Sequence, residues 1–160
     1  MHCLPTTSVV GALLLLCLAA IRLEAAPFPA DSPEHQALTA ATDALGDPAF
    51  ALREDYWNGE LTTSTGRAVK LQFFKRNVYS LFFGVAPSEL PPGASLHLNI
   101  FDSANEEVAA ASGKPGEAAV ALTFENTIKS GSFLVLMRVD VPPGPLAAAD
   151  IPAVLFYGWK

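Results

Sequence analysis

Between Tyr56 and Trp159 the apolar residues recur in short runs with a period of two, spaced about ten residues apart and separated by turn residues. A period of two places alternate side chains on opposite faces of a strand, and this spacing is that of a sandwich or barrel. Eight strands are expected, over residues 55–62, 68–74, 78–85, 95–101, 107–111, 118–124, 132–141 and 153–159. In the second, Val69, Leu71 and Phe73 share a face opposite Lys70 and Gln72; in the fourth, Leu96, Leu98 and Ile100 alternate with Ser95, His97, Asn99 and Phe101. The seventh, SFLVLMRVDV, is apolar on both sides until Arg138, which predicts a central strand covered on two sides or facing the inter-sheet core plus a loop.

The connections carry their own signals. Lys75, Arg76 and Asn77 join the second and third strands tightly, and Asn takes a positive φ at low cost, so a hairpin with Asn77 in that role is expected. The polar clusters at 102–106 and 112–116 read as turns, and Gly131 as the entry to the strongest strand.

Ahead of the strands the pattern changes. Residues 26–54 are read as a tether carrying one short helix over 33–45, with Ser32 as N-cap, Pro33 in the first helical position, Glu34 in the first turn and Gly46 as the stop. Its apolar stripe, Leu38, Ala41 and Leu45, is thin, so loose packing on the domain at 55–160 is expected. Residues 1–25 read as a cleavable signal peptide. The 13 apolar residues 9–21 are too few for a span that needs about 20, and Ala25 with Leu23 forms an imperfect small-x-small cleavage site. The expected destination is secreted or periplasmic, with no membrane span once the leader is removed.

Both cysteines, Cys3 and Cys17, fall inside that leader, so the exported product is expected to lack thiols and disulfides in any redox compartment. Loss of Arg22 and Glu24 leaves the net charge at −6, since 10 basic and 16 acidic residues become 9 and 15. The acidic balance argues against nucleic acid as a partner, which calls for clustered Lys and Arg. The one basic knot, Lys70, Lys75 and Arg76, reads as a solvated strand end and turn. A mature length of about 135 residues suits a single domain with its own core.

The stretches VYSLFFGV, SLHLNIFDSANEEVAAA and AAVALTFENTIKSGSFLVLMRV resemble the bacterial pre-peptidase C-terminal domain over about 65 residues, 78–139. That family pairs an aromatic strand with an apolar strand closing in an aspartate turn, and has a Gly-x-Tyr opening a late strand. Tyr79, the Asp102 turn, and Gly131 with Phe133 stand in those places; Val78, Asn105 and Phe133 depart from the acidic residue, glycine and tyrosine usual there. The resemblance implies an all-β fold, an antiparallel two-sheet, jelly-roll-like sandwich, acting as a non-catalytic accessory or binding module. It transfers no active-site residue.

The search for chemistry is mostly negative. There is no Gly-x-Ser-x-Gly elbow, no mature cysteine, and no His or Cys spacing suited to zinc. His35, in the tether, and His97, on the polar face of a strand, are expected to face solvent. The acidic neighbours Glu54 and Asp55, or Glu106 and Glu107, point to opposite faces of a strand and cannot flank one glycosidic bond. No cofactor is expected. Asp102, Asn105 and Glu106, with Glu107 beside them, are the candidate hard-oxygen ligands for Ca²⁺, which takes six to eight such atoms. Tyr56, Trp57, Phe74, Phe101, Tyr157 and Trp159, at strand ends or opposite the main apolar set, either fill the second face and cover the sandwich ends or are the candidate ligand-binding residues, because aligned rings stack on sugars or peptides. Trp57 and Trp159 are expected to pack together where the first and last strands meet.

Three functions follow. The first is a stand-alone accessory module binding an extracellular or envelope protein or a glycan. The second is an envelope structural or interaction protein using an exposed strand edge, the final strand in particular. The third is a small hydrolase, which would need His35, His97 and carboxylates gathered in a pocket.

Overall fold

The computed structural model describes residues 28–143 and 149–160, so the expected leader lies outside the described residues. Two short helices, α1 (Pro33–Ala40) and α2 (Thr42–Leu45), precede nine strands. These are β1 (Ala51–Leu52), β2 (Trp57–Thr62), β3 (Arg67–Phe73), β4 (Val78–Val85), β5 (Ser95–Phe101), β6 (Glu107–Ser112), β7 (Ala119–Glu125), β8 (Gly131–Asp140) and β9 (Asp150–Trp159). The eight expected strands are all present, with β4 and β5 at the expected limits; β1, two residues long, is additional.

The pairing is nested: β2 with β9, β3 with β8, β4 with β7 and β5 with β6, all antiparallel, as in one long ribbon. The ribbon then wraps so that β9 also pairs with β4 and β8 with β5, giving one sheet ordered β9-β4-β7 with β1 and β2 on the outer side of β9, and a second ordered β3-β8-β5-β6. A five-stranded and a four-stranded layer built from a wrapped ribbon make a jelly roll, the two-residue β1 being the added strand.

This topology corrects two expectations. The 75–77 link is not a hairpin, because β3 and β4 belong to different sheets; the chain arches between layers, and the left-handed residue is Arg76, with φ 76°, not Asn77. Nor is the final strand an edge, since β9 is flanked by β2 and β4. The 102–106 turn is a true hairpin, with Asn105 at φ 62°.

Alternation sorts each strand between core and outside. Tyr79, Leu81, Phe83 and Val85 on β4 and Ile151, Ala153, Leu155 and Tyr157 on β9 face Leu96, Leu98 and Ile100 on β5 and Phe133, Val135, Met137 and Val139 on β8 across the sandwich. The doubly covered strands are β4 and β9, not β8 as expected. Their other rows, Phe82, Val154 and Phe156, are buried under Ala37 and Ala41 of the helical segment, whereas Leu134 and Leu136 on the outer row of β8 remain half-exposed.

The helical segment is therefore no loose tether. Of the expected stripe, Ala41 is fully buried and Leu38 packs against the same cluster, whereas Leu45 is 46% exposed and the small Ala37, also fully buried, takes its share of the contact. Ser32 caps α1 as expected, its Oγ accepting from the His35 N–H at 3.2 Å. Asp31 accepts from the Ser88 N–H at 3.0 Å and hydroxyl at 2.6 Å, and the Lys160 ammonium reaches Asp47 at 2.8 Å, tying both ends of the segment to the sandwich. Both carboxyls are held below the ordinary range, Asp31 by the Ser88 hydrogen bonds and Asp47 by the one from Lys160. Groups lowered in this way keep their contribution above the ordinary carboxylate value of about 3.9 and lose it as pH falls through the folded value.

Close approach of α1 depends on Gly84, the outer-row residue of β4 beneath it. A Cβ at this position would overlap the Pro33 carbonyl oxygen and stand 2.7 Å from the Ala37 nitrogen. Gly84→Ala is therefore expected to push α1 off the sheet and destabilise the fold by about 1–3 kcal/mol, the usual cost of overpacking. Urea unfolding of the variant checks this; an unchanged midpoint would show that α1 is not held by this contact.

Candidate functional site

Between Leu52 and Trp57 the edge of the first sheet fails to follow β9. Leu52 lies opposite Gly158 and Trp57 opposite Leu155, so a five-residue step on the edge faces a three-residue step on β9. The two surplus residues form a bulge, a device that opens sheets and recurs beside binding sites. Within the detour, the Arg53 N–H still donates to the Tyr157 carbonyl at 3.0 Å.

The detour opens the side of the sandwich where β2 and β3 form the two edges. Two depressions lie along this seam. One, of about 210 Å³, is lined by Arg53, Gln72, Phe74, Asn77, Tyr157 and Trp159, with Tyr79 at its base. The other, of about 270 Å³, is lined by Asp55, Tyr56, Trp57, Val69, Leu71 and Tyr157, with Lys70 on its β3 side. Tyr157 is common to both, so they form one groove with a shared ring.

Its walls are fixed by specific contacts. Arg53 donates to Asp55 through Nε at 2.5 Å and Nη2 at 2.8 Å, a bidentate pair, and its guanidinium carbon sits 5.6 Å from the centroid of Tyr157. The hydrogen bonds from Arg53 hold the Asp55 carboxyl below the ordinary range, and those to Asp55 raise the guanidinium. Burial pushes the Tyr157 phenol up, so its ring stays neutral beyond the ordinary phenol range. Tyr56 stacks on Phe156, centroids 4.4 Å apart. The Trp57 ring lies along its own strand over Gly59, where a Cβ would meet ring carbon Cζ2 at 2.8 Å.

The base is anchored by Tyr79. Its buried hydroxyl accepts from the Phe74 N–H at 2.7 Å, with Asn77 Nδ2 at 3.4 Å, and its ring lies 4.4 Å from that of Phe73. The arch is also tied to the β7–β8 link, the Arg76 N–H donating to Asn126 O at 2.8 Å and the Lys75 N–H to Ser130 Oγ at 2.9 Å. Phe74 is thereby held 56% exposed at the mouth of the groove.

Of the six candidate aromatics, the fold brings five to the seam: Tyr56, Trp57, Phe74, Tyr157 and Trp159. They do not form a row on an outer face. Trp57 and Trp159 stand at strand ends, as expected, and with Tyr157 they pack on the core side and not on the opposite face. Trp57 stands beside Leu155 and Trp159 beside Ala51, with Tyr157 between them along β9, so the two indoles are not cross-strand partners. Phe101 is elsewhere, opposite Leu134 on the outer face of the second sheet. The sequence reading missed Arg53, Gln72, Asn77, Tyr79, Val69 and Leu71. The Arg-Glu-Asp run at 53–55 was its only trace, and it interrupts the alternation at the bulge.

The expected calcium residues sit at the β5–β6 hairpin. Asp102 Oδ1 accepts from the N–H groups of Ala104 at 2.8 Å and Glu106 at 3.0 Å, closing the turn, and Lys70 shares the adjoining depression with Asp102 and Asn105. Among the described residues, no group of three or more His, Cys, Asp or Glu gathers as a metal-ligand set. His35 lies in α1, and His97 is not simply solvated. His97 Nδ1 is 2.8 Å from Ser112 Oγ and its Nε2 is 3.1 Å from Asp140 Oδ2, joining β6, β5 and β8 across the outer face of the second sheet. None of the described helices is long and apolar enough to cross a membrane. No protein-family model matches the chain, and none of the curated proteins is significantly similar to it.

Tyr79→Phe removes the acceptor for a backbone N–H at the base of the groove. An unpaired buried donor costs about 1–3 kcal/mol, so a loss of that size in urea unfolding is expected, together with faster amide exchange at Phe74. Unaltered exchange at Phe74 would show that the arch is set without this bond.

Proposed function

We propose that the protein is a secreted or periplasmic, non-catalytic accessory module that holds a glycan in the seam between β2 and β3. The observation that carries this reading is the convergence of five aromatic residues on two adjoining depressions that share Tyr157. Each depression is smaller than the roughly 300–1,000 Å³ of a site for one compact ligand, which suits successive units of a chain. Aromatic faces stack on sugar rings, while the Arg53–Asp55 pair, Gln72 and Asn77 offer donors and acceptors to hydroxyls along the same groove. The resemblance to the pre-peptidase C-terminal domain, itself a jelly-roll-like accessory module, and the signal-peptide pattern support the same assignment. The partner is then an extracellular or envelope glycan.

Removing one ring from the groove is expected to weaken glycan binding about 2- to 10-fold, the equivalent of about 0.5–1.5 kcal/mol. Calorimetric titration of Phe74→Ala and Trp57→Ala, with Phe101→Ala as the off-site control, measures it. Equal affinities for all three and for the unaltered protein would sink the seam as the site.

A second reading, a small hydrolase, rests on the Ser112–His97–Asp140 hydrogen-bonded triple. It has the residue types of a serine hydrolase's nucleophile, base and orienting carboxylate, but with the ring nitrogens interchanged: the serine is on Nδ1 and the carboxylate on Nε2. These residues lie on an open sheet face and line neither depression of the seam. If Ser112 is activated, a fluorophosphonate probe labels it selectively and His97→Ala abolishes the labelling. Reaction no greater than at other exposed serines removes this reading.

A further inference from the structure

The groove described above leaves one feature unused, the charge along its β3 wall. β3 pairs only with β8, and its other edge borders the seam. It carries Arg67 and Lys70, and the arch that follows carries Lys75 and Arg76; all four are exposed. They make up four of the chain's ten basic residues, in a protein of net charge −6. None of the four takes part in an ion pair among the described residues, and neither do Lys129 and Arg138, whereas Arg53, Lys114 and Lys160 are each matched with a carboxylate. At about 3.3 Å per residue, the six steps of β3 spread this charge over roughly 20 Å alongside the rings.

Lysines on a free strand edge also deter edge-to-edge association. That role accounts for Arg67 and Lys70, which lie on the paired strand. It does not account for Lys75 and Arg76, which lie beyond the strand on the arch that holds Phe74. Lys70 lines the groove, and Lys75 and Arg76 directly follow Phe74 on the arch; cations so placed beside stacking faces match a ligand with ring faces and carboxylates in alternation.

Accepting the seam as a glycan site, we infer that its ligand is an acidic, uronate-containing polysaccharide, its sugar rings on Trp57, Phe74 and Trp159 and its carboxylates toward Lys70, Lys75 and Arg76.

The test titrates the full protein with oligomers of galacturonate, alginate and hyaluronate, and with galacturonate oligomers whose carboxyls are methyl-esterified. The galacturonate acid is expected to bind about tenfold more tightly than its ester at 50 mM salt, the combined effect of a few exposed ion pairs, with the advantage shrinking at 0.5 M. The double variant Lys70→Gln with Lys75→Gln is expected to lower affinity for the acid to that for the ester and leave the ester unaffected, with an unchanged circular dichroism spectrum.

Equal binding of acid and ester, or binding of neutral glycans alone, overturns the uronate assignment and leaves the seam reading intact. Failure of all three acids and of neutral glycans, with Phe74→Ala without effect, overturns both. Tighter binding of polyglutamate or a single-stranded oligonucleotide than of any uronate would make the seam a peptide or nucleic-acid site and overturn the inference as well.

Discussion

The pairing of β4 with β9 is the interaction on which the rest of the molecule depends. In an unwrapped ribbon β4 would meet only β7, and β9 only β2. The seven-residue register from Tyr79 opposite Trp159 to Val85 opposite Ala153 joins the two halves of the ribbon and creates an inside. The partners are some 70–80 residues apart in sequence, so the loop-closure entropy is spent before most core contacts exist. Both strands are apolar on both faces for this reason: one row fills the space between the sheets and the other is covered by Ala37 and Ala41. Gly84 belongs to the same arrangement, because a doubly covered strand needs one position where the covering backbone comes down onto it.

A jelly roll of this order has two open sides, and the sequence treats them differently. On one side β6 and β7 lie close together, and β6 brings small side chains there, Ala109 and Ala111, beside the core row of Val120 and Leu122 on β7. On the other, β2 and β3 show no comparable approach, and the residues there are bulky: Trp57, Tyr157, Val69 and Leu71. The groove is therefore not imposed by topology. It arises where large side chains and the two-residue detour at 53–56 keep the sheets from closing, and the Arg53–Asp55 pair and the Tyr79 hydroxyl give that opening a fixed shape.

How much of this could be read in advance follows from which signals are local. Period-two alternation is local, so 78–85 and 95–101 were placed to the residue. Which strand a strand pairs with is not local. A short link such as 74–77 joins neighbours in one sheet or opposite layers equally well, and the arch was taken for a hairpin. The outer row of SFLVLMRVDV was taken for a second buried face because Leu134 and Leu136 are apolar, yet the helix covers β4 and β9 and leaves that row half-exposed. The aromatics were legible as a group because stacking residues are chemically distinctive, but their assembly depended on the wrap, which brings Tyr157 from the end of the chain beside Phe74 and drops Phe101 onto another face. His97 was read as solvated because its partners are cross-strand: Ser112 comes from β6 and Asp140 from β8, 15 and 43 positions away.

The two polar constellations differ in what their surroundings let them do. Ser112, His97 and Asp140 stand on a face where Asp140 is 54% exposed, so water screens the carboxylate's influence on the imidazole and competes for the serine hydroxyl. Bridging three adjacent strands, such a triple contributes as cross-strand pairs do, by fixing register. Around the seam the polar pair is no less exposed, Asp55 at 71%, but it borders an apolar floor: Tyr157 is 9% exposed, Val69 and Leu71 are half-buried, and the guanidinium of Arg53 sits beside the Tyr157 ring. Polar groups with low-dielectric walls act more strongly on an incoming ligand than the same groups on an open sheet. The half-buried apolar and aromatic side chains are thus concentrated where the sandwich fails to close, and the triple bridges three neighbouring strands on an open face.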